Sequence, residues 1–199
     1  MAVALVAGGA TQSAAQSNAA QARAILDKTA KTVGRAGGAS AAFTLSGAAA
    51  GAVSGTIVIK GNKFNARTSQ ATVWFDGKTQ WTYMKKNNEV NISTPTAAQQ
   101  QMMNPYTFIN VYKKGYTLAV KPAWTSDEVH MVAQSKGQSI QEMYITVNRK
   151  THVPSTIKMK HGNKWYTVKV SSFSAKNQPN GIFTFRSKDY PSAEIVDLR

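Results

Sequence analysis

From Ala39 to Arg186 apolar residues return at every second position in short runs, and turn-forming residues break the runs at hairpin spacing. A period of two sends alternate side chains to opposite faces of a strand, so each run has one face to bury. The clearest cases are Phe43 and Leu45, Ile57 and Ile59, Phe64, Val73 and Phe75, Trp81 and Tyr83, Val129 and Met131, and Ile145 and Val147. Asp76-Gly77 between two alternating runs is a strong hairpin signal, and Asn87-Asn88, Asn148-Arg149-Lys150 and His161-Gly162-Asn163 mark further turns. About ten to eleven antiparallel strands, the last over 182–186, predict a mainly β chain folded as a sandwich or a strongly curved, barrel-like sheet.

Two segments leave that rhythm. In 18–33, Ala22, Ile25, Leu26, Thr29, Ala30 and Val33 fall on one helical face and Arg23, Asp27, Lys28 and Lys31 on the other, with Asn18 as N-cap and Gly34 as the stop. Farther on, Asn104-Pro105 reads as an N-cap with proline in the first turn, and Pro105, Phe108, Ile109 and Tyr112 would share a face before Lys113-Lys114-Gly115 closes the helix. Met102 and Met103 stand just before it.

The first 22 residues after and including Met1 carry no charge, and Ala2–Ala10 is almost wholly apolar. So short a stretch cannot span a bilayer, but it suits a secretory h-region, with Ser13-Ala14-Ala15 before Gln16 as the expected cleavage site. No Lys or Arg precedes the apolar run, as if the true start lay upstream. The expectation is therefore a signal peptide over 1–15 and one domain over 16–199.

Composition narrows the chemistry. The chain of 199 residues has no cysteine, which excludes disulfide scaffolds, thiol catalysis and zinc ribbons, and its three histidines, 130, 152 and 161, match no usual ligand spacing. No metal or cofactor is expected. Lys and Arg outnumber Asp and Glu by 24 to 9, a formal charge of +15 spread as +6 over 17–80, +4 over 81–124 and +5 over 125–199. An even spread lacks the clustered stripe of a nucleic-acid reader and suits a surface drawn to anionic partners. Gly77-Lys78-Thr79 lacks the upstream glycine of a phosphate loop, and Ser54 is misplaced for a nucleophile elbow. Glu128 and His130 share a strand face and read as two solvated polar residues. A binding protein stands ahead of an enzyme.

The run Asp76-Gly77-Lys78-Thr79-Gln80-Trp81-Thr82-Tyr83 carries a more specific signal. With Gly55-Thr56-Ile57-Val58-Ile59-Lys60, Ala24-Ile25-Leu26-Asp27-Lys28, Ala42-Phe43-Thr44 and Asn104-Pro105, it resembles the periplasmic LolA-like carriers of outer-membrane lipoproteins, in order and spacing over 19–199. The ending 190–199 resembles the branch found in Bacteroidetes-type bacteria. What the resemblance implies is an incomplete antiparallel β-barrel, apolar and concave inside, closed by short lid helices. It implies a monomeric, non-enzymatic chaperone that receives acylated lipoproteins from an inner-membrane lipoprotein-releasing ABC transporter. Delivery would be to an outer-membrane receptor or to the membrane itself.

On that reading the paired residues named above would line the acyl-chain cavity, and Met102, Met103, Phe108, Ile109 and Tyr112 would form the lid. One departure stands out: the arginine that ties the lid to the barrel in such carriers belongs just after Lys60, where this chain has Gly61. Two other readings use the same residues differently. A lipid-binding envelope sensor would keep the cavity, whereas a cationic envelope protein binding polysaccharide or another polyanion would fill it.

Overall fold

The computed structural model describes residues 9–47, 51–104 and 109–199, with side chains from residue 16 onward except 101–103. A helix, α1 (Gly9–Val33), leads into β1 (Ala39–Gly47), β2 (Val53–Lys60), β3 (Lys63–Thr68), β4 (Ala71–Phe75), β5 (Gln80–Met84) and β6 (Glu89–Ser93). Then come α2 (Ala97–Met103), β7 (Tyr116–Pro122), β8 (Ser126–Ala133), β9 (Glu142–Asn148), β10 (Pro154–His161), β11 (Lys164–Ser174) and β12 (Glu194–Asp197). These twelve strands form one curved, unclosed sheet in the order β12-β6-β5-β4-β3-β2-β1-β11-β10-β9-β8-β7. The sheet is thus two hairpin runs, β2–β6 and β7–β11, joined by β1 pairing with β11 in the middle.

Hairpin chemistry sets the register. Gly61 (φ +57°) and Asn62 make the two-residue β2–β3 turn, a conformation glycine adopts at no steric cost. The Asp76-Gly77 turn is longer than a two-residue hairpin: Asp76 Oδ1 accepts from the amides of Lys78 and Thr79, so Phe75 lies opposite Gln80.

Four expectations change. The twelfth strand is not 182–186: Asn180–Phe183 is a short 3-10 turn whose Phe183 is fully buried, and β12 adds later, parallel to β6. Asn104 is the C-cap of α2, not the N-cap of a following helix, and α2 itself starts from a Thr96–Gln99 capping box. Residues 105–108 lie outside the described residues, and Val111–Lys113 form a single 3-10 turn. Asn18 lies inside α1. Its amide bonds both backbone groups of Val120 on the edge strand β7, accepting from the N–H at 2.8 Å and donating to the carbonyl at 3.0 Å.

The amphipathic reading of α1 holds where side chains are described. Ala22 and Leu26 are buried against β7–β10, in a cluster with Tyr112, Val129, Met131, Met143, Ile145 and Val147. Val33 at the helix end joins a second cluster with Ala39, Ile59, Phe64, Phe75 and Ile109.

Candidate functional site

Strand pairing determines which residues share the face that α1 covers. Ile57 lies opposite Ala41 and Ala66, Phe43 opposite Val170, Val168 opposite Leu45 and Ile157, and Ile157 opposite Ile145. Through these pairs Phe43, Leu45, Ile57, Ile59, Phe64, Val73, Phe75, Val129, Met131, Ile145 and Val147 stand on one inner face. Trp81 and Tyr83 do not. The four-residue turn at Asp76 puts Gln80 and Thr82 inside and sends both aromatics to the outer face, where Trp81 lies opposite Trp74 and Tyr83 opposite Thr72. There the C-terminal segment supplies cover: Tyr190 packs edge-on to Trp74 at 5.6 Å and against Tyr83 at 4.7 Å, and Phe185 lies 5.5 Å from Trp74.

The inner face is not uniformly filled. Over β1–β4 and β10–β11 it leaves a cavity of about 400 Å³. Phe43, Leu45, Ile57, Ile59, Phe64 and Val73 line it, together with Ile157, Met159, Val168, Val170 and Phe173 from the other hairpin run. Small side chains make the room: Ala39, Ala41 and Ala66 lie between the large ones. Gly55, opposite Phe43, has the carbonyl of Arg67 where a Cβ would go. Val33, Ile109 and Asn104 close it from above. Among the described residues no ionisable group lines it, and its polar members are Ser40, Thr68 and Asn104.

Phe75, buried behind Phe64 with ring centroids 5.6 Å apart, backs the cavity without lining it. Val129, Met131, Ile145 and Val147 lie under α1 in the filled part of the same face. Of the lid residues, Ile109 lines the cavity and Tyr112 packs in the filled core, its hydroxyl donating to Asp27 at 2.5 Å. The side chains of Met102, Met103 and Phe108 lie outside the described residues. Where the arginine tether would sit beside Lys60, the Asn104 amide instead donates to the carbonyl of Asn62 at 2.9 Å, linking the end of α2 to the β2–β3 turn.

Sequence alternation missed the β10–β11 wall. Phe173 is an instructive case, because strict alternation from Val168 and Val170 would turn residue 172 inward. A bulge opposite Ser40–Ala42, with Ser172 at φ +50°, shifts the parity and brings Phe173 into the cavity.

The outer face holds the polar chemistry. His130 bonds Glu142 at 2.8 Å, not Glu128, and stacks on Tyr144 at 4.3 Å. The Tyr144 hydroxyl, followed by His130, holds the Glu142 carboxyl below the usual range even against its desolvation. Lys158 lies 4.6 Å over the Trp165 ring.

A twelve-stranded unclosed sheet wrapped round one helix, with an uncharged apolar cavity on its inner face, defines a class of carrier and binding folds. The family model for the outer membrane lipoprotein carrier protein LolA matches residues 12–163, and the chain belongs to that family. No curated protein sequence matches it. A conserved protein from Thermus thermophilus shares the fold at 15% identity and TM-score 0.60, with 89% of this chain and 99% of that one covered. A LolA superfamily protein from Nitrosomonas europaea aligns at 11% identity and TM-score 0.46, covering 82% of this chain and 97% of that one. The MucA/MucB complex of Pseudomonas aeruginosa aligns at 10% identity and TM-score 0.46, covering 83% of this chain and 61% of that one.

Proposed function

We propose that this protein carries acylated lipoproteins across the periplasm, sheltering an acyl chain in the cavity between β1–β4 and β10–β11. The observation that carries the reading is an uncharged cavity of about 400 Å³ on the inner face of a chain in the LolA family. Each buried CH₂ contributes about 0.8 kcal/mol to membrane retention, so a lipoprotein leaves a bilayer only if another apolar surface receives its chains. A cavity lined by Phe43, Ile57, Val168 and Val170 is such a surface, and apolar walls leave water in it with few partners.

On this reading the chain is exported, with cleavage near Ala15. The contacts made by Asn18, Ala22 and Leu26 lie downstream of that cut. An inner-membrane ABC transporter supplies the cargo, and an outer-membrane receptor or the membrane accepts it. The carrier works as a monomer without enzymatic chemistry. Of the lid candidates within the described residues, Ile109 covers the cavity, while Tyr112, tied to Asp27, packs in the filled core.

Native mass spectrometry of protein purified from its host with the load intact tests the assignment. We expect a one-to-one complex with an acylated polypeptide. A load of free lipid alone would make the protein a lipid sensor, and steep salt-dependent polyanion binding without lipid would overturn the cavity reading altogether.

A further inference from the structure

The β7–β8 hairpin ends in a feature unrelated to the cavity. Trp124 is 95% exposed, whereas Trp74 is buried and Trp81 and Trp165 are half-buried. Its exposure does not come from a loose loop. The Ala123 N–H donates to the Ser126 carbonyl at 2.9 Å, and the Thr125 carbonyl accepts from the Arg149 N–H at 3.1 Å, joining this turn to the β9–β10 turn. Arg149 also holds Asp127 at 2.7 Å. A large indole is therefore presented to solvent by a braced backbone.

The surroundings are basic. Glu128 faces Lys121 across the hairpin, and Asp127 is neutralised by Arg149, which leaves Lys150 beside the tip without an acidic partner among the described residues. The strand register places the turns bearing Lys60, Lys63, Lys78 and Lys176 at this same end of the sheet. The acid in those turns, Asp76, is occupied by the amides of its own turn. α2 reaches the same end, since Asn104 bonds Asn62 there.

We propose that the β7–β8 tip is a membrane contact: Trp124 seats in the headgroup layer of an anionic bilayer, Lys150 beside it binds a lipid phosphate, and the lysines of the other turns at this end of the sheet add to the attraction. Indole is suited to that layer, because its apolar body and single N–H match the boundary between acyl chains and water. Basic side chains near an anionic surface add to binding within a Debye length, and a net charge of +15 gives the approach a favourable long-range field. Docked this way, the protein turns the end that carries α2 toward the bilayer. Docking of this kind needs no particular cargo.

The test uses the intact protein with vesicles of phosphatidylglycerol and phosphatidylcholine, and of phosphatidylcholine alone. Binding should favour the anionic vesicles and blue-shift the tryptophan emission. Trp124→Ala should weaken binding about tenfold and abolish the shift, because an aromatic ring is the largest apolar area a single residue offers. Trp124→Phe should retain most of the affinity, and Lys150→Glu should lose at least about fivefold, as expected for removing one basic residue near the surface. Binding of an apolar probe to the cavity should be unchanged in all three, which separates loss of docking from loss of fold. Equal vesicle binding by wild type and Trp124→Ala would overturn the proposal, as would equal affinity for neutral vesicles or no binding at all. A change of oligomeric state in Trp124→Ala without vesicle binding would assign the indole to a protein contact instead.

Discussion

The two halves of the inner face are built from the same alternation and end differently. Over β7–β9, Val129, Met131, Met143 and Val147 are almost fully buried, because Ala22 and Leu26 of α1 and the Tyr112 ring lie on them. Over β1–β3, Leu45, Ile57 and Phe43 remain partly exposed to a cavity, because α1 has ended at Val33 and, among the described residues, Ile109 and Asn104 are what reaches across beyond it. The strands of both halves supply apolar inner positions; the length and placement of one helix decide which of them become core and which stay open. Stability and binding are therefore expected to reside in different halves.

The largest test fills the open half. Ala66 lies between Ile57 and Val73 in register, so Ala66→Phe should occupy the cavity and reduce binding of a fluorescent apolar probe or lipopeptide by at least about tenfold, or 1.4 kcal/mol. Unfolding monitored by circular dichroism should change little, because the new ring enters empty space. Undiminished binding would remove the cavity from the site.

Smaller losses should separate the halves by stability. Leu26→Ala empties a packed position and should cost about 2–5 kcal/mol in denaturant unfolding while probe affinity stays the same. Leu45→Ala, at the cavity wall, should cost about 1 kcal/mol and change the affinity. The reverse pattern would mean that ligand enters beneath α1.

The smallest effect concerns Tyr112. Burial, then its hydrogen bond to Asp27, raises the phenol above the ordinary tyrosine range. Above about pH 10 the unfolded chain releases this proton while the native chain keeps it, so stability present below that pH is lost as pH rises. Tyr112→Phe should lower stability at neutral pH by about 1 kcal/mol and flatten the alkaline decline, seen as a shallower slope of midpoint against pH.

Local alternation made the strands legible, and with them eleven of the thirteen cavity candidates on one face. Trp81 and Tyr83 went to the other face because an even-length loop, of two residues or the four present here, sets odd positions of β4 opposite even positions of β5. With Val73 and Phe75 inside, Gln80 and Thr82 follow them, and hydrophobicity alone, which favours the aromatics of β5, ignores that constraint. Phe173 was hidden by a bulge. Asn18 and Asn104 read as helix N-caps because their amides suit that role locally, yet each finds its partner far along the chain, at Val120 and Asn62. Where α1 lies on the sheet is a tertiary fact, and with it the division between filled and open halves.

The meeting of β1 with β11 has a consequence for the timing of assembly. Each hairpin run can form from neighbours in sequence, but the middle of the sheet waits for pairs such as Thr44 with Lys169. Loop-closure entropy makes such distant pairs slow relative to hairpins. The cavity straddles this seam, with Phe43 and Leu45 on one side and Val168 and Val170 on the other. A chain interrupted before Lys164 can hold its hairpins and its N-terminal helix, yet it has no receptacle. If the protein is the carrier proposed above, loading is thereby confined to finished molecules, and a nascent or truncated copy cannot withdraw cargo that it is unable to shelter.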